Sequence, residues 1–255
     1  MNKKQIAQEI RQLTYDCIKS IGVGHIGGSL SIVDILTALY YELMNINPAE
    51  PKMAGRDRLV VSKGHAGPAV YSTLAHKGYF DKKELYTLNK FGTNLPSHCD
   101  MNLTTGIDMT TGSLGQGFSC AVGCALGSKL RGDNAVIYTI IGDGESQEGL
   151  IWEAAMFSAH KKLDNLIAFT DCNKMQIDGI TDDVCSLGDL KAKWTAFGFD
   201  TYEIDGHDID EIVDTVNKAK SVKGKPHMLI CHTVKGKGFK QFEDLGVDSH
   251  STNVG

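Results

Sequence analysis

The sequence predicts an α/β fold in which a parallel sheet is sandwiched by helices. Three continuous apolar runs carry that reading: Ala135–Ile141 (AVIYTII), Leu166–Thr170 (LIAFT) and His227–Cys231 (HMLIC). Such runs lack the polar alternation of a half-exposed strand, so they suit strands buried on both faces, as in parallel sheets. Helical segments separate them, and that alternation builds a sheet with helices on either side. The chain has 255 residues. It shows no internal repeat, low-complexity tract or Pro/Ser-rich linker, so residues 1–255 read as a single domain.

In chain order, Ile6, Ile10, Leu13, Cys17 and Ile21 recur at spacings of three and four, predicting a helix over 4–21. Ile32, Ile35, Leu36, Leu39, Tyr40 and Leu43 predict another over 31–44, with Ser31 and Asp34 as its capping box. Leu59–Val61 is a short strand. Residues 65–77, 81–90 and 117–131 read as helices. Gly117, Ala121, Gly123, Ala125 and Gly127 suit the last of these to close packing on a sheet. Helices over 146–162, 189–197 and 208–221 follow, with a short strand at Thr201–Ile204. Beyond Lys235 the chain reads as a functional loop or a tail that docks elsewhere.

Composition narrows the function classes. The chain is 42% hydrophobic and 22% charged, ordinary for a soluble globular protein. A formal charge of −5 and scattered basic residues give no reason to expect nucleic acid. No apolar run approaches bilayer length, so no membrane association is expected. The N-terminal MNKKQIAQEIRQ lacks the apolar segment of a signal peptide. The seven cysteines include no CxxC pair and read as reduced, which points to the cytoplasm.

Gly22-Val23-Gly24-His25-Ile26-Gly27 fits G-x-G-x-x-G, but it follows a helix, whereas a dinucleotide site needs it after a strand. The glycines read instead as a turn that lets His25 approach something closely. Ile141-Gly142-Asp143-Gly144-Glu145 closes the first apolar run, and the second ends in Asp171-Cys172-Asn173. Ligands of parallel sheets bind beyond the carboxyl ends of strands. An Asp carboxylate and an Asn amide oxygen there are hard ligands, suited to Mg2+, or Ca2+ in its place, bound with a phosphate group. The competing reading is a pair of tight turns with capping side chains. Thr111-Gly112-Ser113-Leu114-Gly115-Gln116-Gly117 precedes a helix, so it suits a phosphate or close packing equally. His25, His65, His98 and His250 lie in loops beside Gly, Pro or Ser and suggest a proton-handling cleft without zinc spacing. His76, His160, His207, His227 and His232 read as structural.

Taken in order, Gly24-His25, Ser62-Lys63-Gly64-His65, Pro96-Ser97-His98, Thr111–Gly117, Gly142–Glu145 with Glu148-Gly149, and Asn173 resemble the N-terminal part of transketolase. The resemblance covers nearly the whole chain. It implies the thiamine-diphosphate-binding fold, in its diphosphate-binding (PP-type) form. It implies that Asp143, Asn173 and the backbone carbonyl of Met175 hold Mg2+. Lys63, His65, Gly142, Asp143, Gly144, Glu145, Asn173, Lys235 and His250 would lie on the diphosphate side of thiamine diphosphate. Leu114 and Gly115 would lie beside its pyrimidine, and Ser113 would also contact the cofactor. His25 and His98 would face the donor sugar's hydroxyls, and Glu148 would sit at a subunit contact linking two cofactor sites. The pyrimidine-binding and C-terminal domains of the family have no counterpart here. They are expected on a partner chain, a C-terminal transketolase subunit, in an α2β2 heterotetramer acting on sugar phosphates, with pentose phosphates the default. The activity implied is transfer of a two-carbon ketol unit from a ketose phosphate to an aldose. The alternatives are a 1-deoxyxylulose-5-phosphate synthase-like or 2-oxoacid dehydrogenase E1 subunit, or a non-catalytic cofactor-binding module. The four histidines and Ser62–His65 favour transketolase.

Overall fold

The computed structural model describes residues 2–255. Five strands form the central sheet: β1 (Arg58–Val61), β2 (Ile137–Gly142), β3 (Leu166–Cys172), β4 (Asp200–Asp205) and β5 (His227–His232). They lie in the order β1-β2-β3-β5-β4, and every neighbouring pair is parallel. All five therefore end at one edge. The register aligns Gly142 with Asp171 and Cys172 with His232.

Both sheet faces are buried, which is why the three strand runs read as continuously apolar. The side chains still alternate. Tyr138, Ile140, Ile167, Phe169 and Leu229 enter one core; Ile137, Ile141, Leu166, Ala168, Met228 and Ile230 enter the other. Each of the Ile, Leu, Met and Phe side chains among them contributes about 1.5–3 kcal/mol by leaving water. The helices are α1 (Lys3–Lys19), α2 (Ile26–Leu30), α3 (Val33–Ala38), α4 (Gly67–Lys77), α5 (Gln116–Arg131), α6 (Gly149–His160), α7 (Thr181–Cys185), α8 (Leu190–Ala196), α9 (Ile209–Ser221) and α10 (Lys240–Leu245). α1 to α4 and α9 cover the first core; α5, α6 and α8 cover the second.

Several expected elements differ. The helix read over 31–44 is broken into α2, α3 and a π-helical turn at Leu39–Leu43. Ser31 and Asp34 form no capping box. Ser31 Oγ donates to the Gly28 carbonyl at 3.1 Å and to Asp171 at 2.6 Å, and Asp34 pairs with Arg11 and His207. Residues Lys82–Thr87, within the expected helix 81–90, wind as a 3-10 helix. The helical stretch Ile26–Leu43 does have the length and hydropathy to span a bilayer, contrary to the reading from sequence; 89% of it is buried inside the fold. On α5 the small residues divide. A Cβ on Gly117 would stand 2.6 Å from Ser62 Cα, whereas one on Gly123 would meet nothing. Only part of that stripe serves close packing. The segment after Lys235 forms α10 and a 3-10 turn, and Thr252–Asn253 then pairs antiparallel with Val23–Gly24. The tail docks on its own domain.

Arg11 of α1 and His207, before α9, tie these helices to Asp34 on α3. Burial alone would raise the Asp34 carboxyl; the bonds from His207 and Arg11 outweigh it and hold the group below the ordinary carboxylate range. Stability from a depressed carboxyl is complete above its unfolded value and is lost as pH falls through the folded one. Arg11→Met should therefore destabilise the fold by about 2 kcal/mol at neutral pH. In denaturant melts its difference from wild type should shrink as the pH falls below about 4.

Candidate active site

β1 ends at Val61 and hands the chain to Ser62, Lys63, Gly64 and His65. Gly64 is required there, because a Cβ would lie 2.7 Å from the Thr111 carbonyl carbon. β2 ends at Gly142, and the 3-10 turn Gly144–Gln147 follows Asp143. β3 delivers Asp171 and, one residue past its end, Asn173; β5 leads through Thr233 and Val234 to Lys235. One cavity of about 350 Å3 gathers these ends. Its wall includes His25, Lys63, His65, His98, Leu114, Gly142, Asp143, Gly144, Glu145, Glu148, Asn173, Met175, Lys235 and His250. Ser113 is exposed and outside that wall, and Gly115 is buried behind it. Glu148 is exposed at the rim, beside the exposed apolar side chains of Leu114 and Ile177. A larger concavity, about 920 Å3, runs along α1 and contains none of these residues.

Two buried carboxylates organise the walls. Glu145 accepts from Ser62 Oγ, from Gly115 N–H at 2.7 Å and from Gly142 N–H at 3.0 Å. It thereby fastens three loops to one another. Asp171 is fully buried and accepts from Lys63 Nζ, Ser31 Oγ, Thr233 Oγ1 and, at 3.0 Å, Asn173 Nδ2. Burial alone would raise its carboxyl, but Lys63 and the hydroxyl donors hold it below the ordinary range. Sequence reading assigned Asp171 no role. The available signal was an acidic residue inside an otherwise apolar strand, where an ion is tolerated only with partners. Gln147 and Gln176 were also missed; they bond to each other at 2.8 Å beside the cavity.

Asp143, Asn173 and Met175 meet through a local twist. Lys174 adopts φ 62°, a left-handed conformation uncommon for a side-chain-bearing residue. Its N–H donates to Asp143 Oδ2, while Gly144 N–H donates to Oδ1 at 2.7 Å. Asn173 Oδ1 accepts from Met175 N–H at 3.1 Å, and the Met175 carbonyl faces Lys235 Nζ at 3.4 Å. Each of these oxygens retains a lone pair. A carboxylate, an amide oxygen and a carbonyl are hard donors, and three of them leave room for phosphate oxygens and water around Mg2+. Burial and the nearby Asp171 push the Asp143 carboxyl up to about 6, a buried acid in need of a cation. Among the described residues no cluster of three or more His, Cys, Asp or Glu offers an alternative metal site.

The opposite wall gathers four histidines and Lys235. The His25 ring stands 5.4 Å from His65, 5.8 Å from His98 and 5.5 Å from His250, and His65 lies 5.1 Å from His250. Lys235 Nζ is 3.2 Å from His250 Nδ1. Burial and then Lys63 lower Lys235 to about 8. Burial and then Lys235 lower His250 to about 4. Burial first, then neighbouring charge, lowers His65 and His25, and burial lowers His98. The cavity thus pairs an electron-rich oxygen set with a lysine and four crowded imidazoles that would gain protons beside an anion, which fits a diphosphate carrying its own divalent ion. Lys63→Met would leave Asp171 buried without its cation. It should destabilise the chain by about 3 kcal/mol in a urea melt, the low end for a broken buried pair because three donors remain.

The family profile described as the transketolase, thiamine diphosphate binding domain matches residues 2–255. A 6-deoxy-6-sulfo-D-fructose transketolase subunit, SqwG, from Clostridium sp. (strain MSTE9) is 57% identical over 100% of this chain and 94% of its own length. An apulose-4-phosphate transketolase subunit from Phocaeicola vulgatus is 41% identical over 96% of this chain and 86% of its own. Among solved structures, transketolase from Leishmania mexicana matches with a TM-score of 0.93 at 29% identity, over 100% of this chain and 40% of that one. Transketolase from Campylobacter jejuni gives 0.91 at 33% identity, over 100% and 41%. This chain spans about two fifths of those two structures and most of each of the two subunits. The chain belongs to the transketolase family, as its N-terminal, thiamine diphosphate-binding domain.

Proposed function

We propose that this chain is the N-terminal subunit of a two-chain transketolase. It holds Mg2+ and thiamine diphosphate and, with a partner bearing the pyrimidine-binding domain, transfers a two-carbon ketol unit from a ketose to an aldose. The observation that carries this reading is the convergence at one sheet edge of the Asp143, Asn173 and Met175 oxygens with Lys235 and four histidines. The relatives named as subunits support a separate partner. So do the exposed Leu114, Ile177 and Glu148 at the cavity's open side. The relative at 57% identity favours 6-deoxy-6-sulfo-D-fructose as donor over the pentose phosphates of the default reading. The free cysteines suit a reducing compartment.

When bound, thiamine diphosphate supplies an electron sink for a carbanion at the former carbonyl carbon. Asp143, Asn173 and the Met175 carbonyl would hold the metal. Lys235, His65 and His250 would hold the diphosphate. His25 and His98, lowered by burial, are neutral at pH 7 and so able to accept a proton or a hydroxyl hydrogen bond from the sugar.

The test is calorimetric titration of Mg2+ and thiamine diphosphate into the chain, alone and with its partner, with two-carbon transfer followed in the same samples. Donors offered are 6-deoxy-6-sulfo-D-fructose, apulose 4-phosphate and a pentulose phosphate. Binding should require Mg2+. Asp143→Ala should weaken it by more than about 100-fold, beyond the loss typical of a metal's outer partners. Turnover should appear only with the partner, and the sulfosugar should react fastest. Metal-independent binding, or none under either condition, would refute the site. Binding without turnover on any donor would leave a cofactor-holding module.

A further inference from the structure

The backbone that carries Lys235 is held by a chain of bonds outside the cavity. Beyond β5, Val234 N–H donates at 2.9 Å to His207 Nε2. His207 lies between β4 and α9 and is not on the cavity wall. Its Nδ1 stands 2.7 Å from Asp34 Oδ2, and Arg11 pairs with that same oxygen. A backbone N–H can only donate, so Nε2 must be a bare acceptor. A neutral imidazole then carries its proton on Nδ1 and donates it to Asp34. The carboxylate fixes the tautomer, and the tautomer fixes Val234. On the far side of Lys235, Gly236 N–H donates to the Gly27 carbonyl at 3.0 Å. Lys235 is gripped by both backbone neighbours, with its ammonium between the Met175 carbonyl and His250.

We propose that His207 is a positioning residue for Lys235: by accepting from Val234 in the one tautomer that Asp34 permits, it sets where the lysine's ammonium meets the bound diphosphate. The inference rests on the cavity being a Mg2+ and thiamine diphosphate site. A residue that merely fills space between β4 and α3 would need neither a fixed tautomer nor an acceptor aimed at the residue before the lysine.

Two variants separate these roles. His207→Asn keeps a donor for Asp34 and cannot reach Val234. His207→Gln reaches Val234 with an amide oxygen. Affinity for Mg2+ and thiamine diphosphate is measured under whichever condition, alone or with the partner, the wild type binds. His207→Asn should weaken binding about tenfold, as loss of a metal site's outer partners does. His207→Gln should restore it. In a Lys235→Ala background His207→Asn should cost no further affinity. Hydrogen exchange at the Val234 amide should quicken in His207→Asn alone. Wild-type affinity in His207→Asn overturns the inference. So does a loss that adds in full to that of Lys235→Ala, or unchanged exchange at Val234. If the wild type binds no cofactor, the reading of the cavity fails instead. The Val234 and Lys235 exchange rates then decide the positional link: faster in His207→Asn upholds it, equal rates sink it.

Discussion

A carboxylate shielded from water lies under the carboxyl edge of the sheet, and much of the cavity wall is fastened to it. Asp171 can remain ionised there only because Lys63, Ser31, Thr233 and Asn173 all donate to it. Those donors come from the end of β1, the turn between α2 and α3, the end of β5 and the end of β3. The need to satisfy one anion therefore sets the relative height of four chain segments. It also divides the labour of the two lysines. The Lys63 ammonium is spent on Asp171 and the Gly28 carbonyl, 2.8 Å away, while Lys235 presents its ammonium to the cavity between the Met175 carbonyl and His250.

The electrostatics of the cavity walls pull in both directions. Burial raises the Asp143 carboxyl while it lowers Lys235 and the histidines. A divalent ion at the acid and a diphosphate at the cations would reverse both shifts together. Stability has been set aside here in favour of a prearranged field, as binding sites commonly require.

Much of this was readable in the residues, and the exceptions have physical causes. The strands were legible because burial on both faces leaves no polar position to interrupt the run. The division of 31–44 was not, because α2 and α3 are buried all round and carry no amphipathic period to mark a break. Ser31 and Asp34 have the spacing of a capping box, yet their partners, Asp171 and His207, are 140 and 173 residues away in sequence. No local rule sees such a competitor. Asp143 and Asn173 were legible because each follows a strand end, and the four histidines because each lies in a loop beside Gly, Pro or Ser, whereas Lys235 was reached only through the family resemblance. Asp171 and His207 were not, because they act through other residues and touch the cavity's purpose only indirectly. Ser113 belongs to the right loop, but its side chain faces solvent.

The closure of the tail onto the first turn has a consequence for how the chain acquires its shape. Val23–Gly24 cannot complete its pairing until Thr252–Asn253 is available, and His250 reaches the cavity on that same late segment. A chain emerging from the ribosome N-terminus first can assemble α1 and the early strands. It must hold the His25 turn open until residues 252 and 253 have appeared. Contacts of such long sequence separation slow folding. The finished mouth of the cavity is accordingly a late folding event, and a nascent chain stalled short of residue 250 would carry most of the sheet without a complete ligand-facing wall.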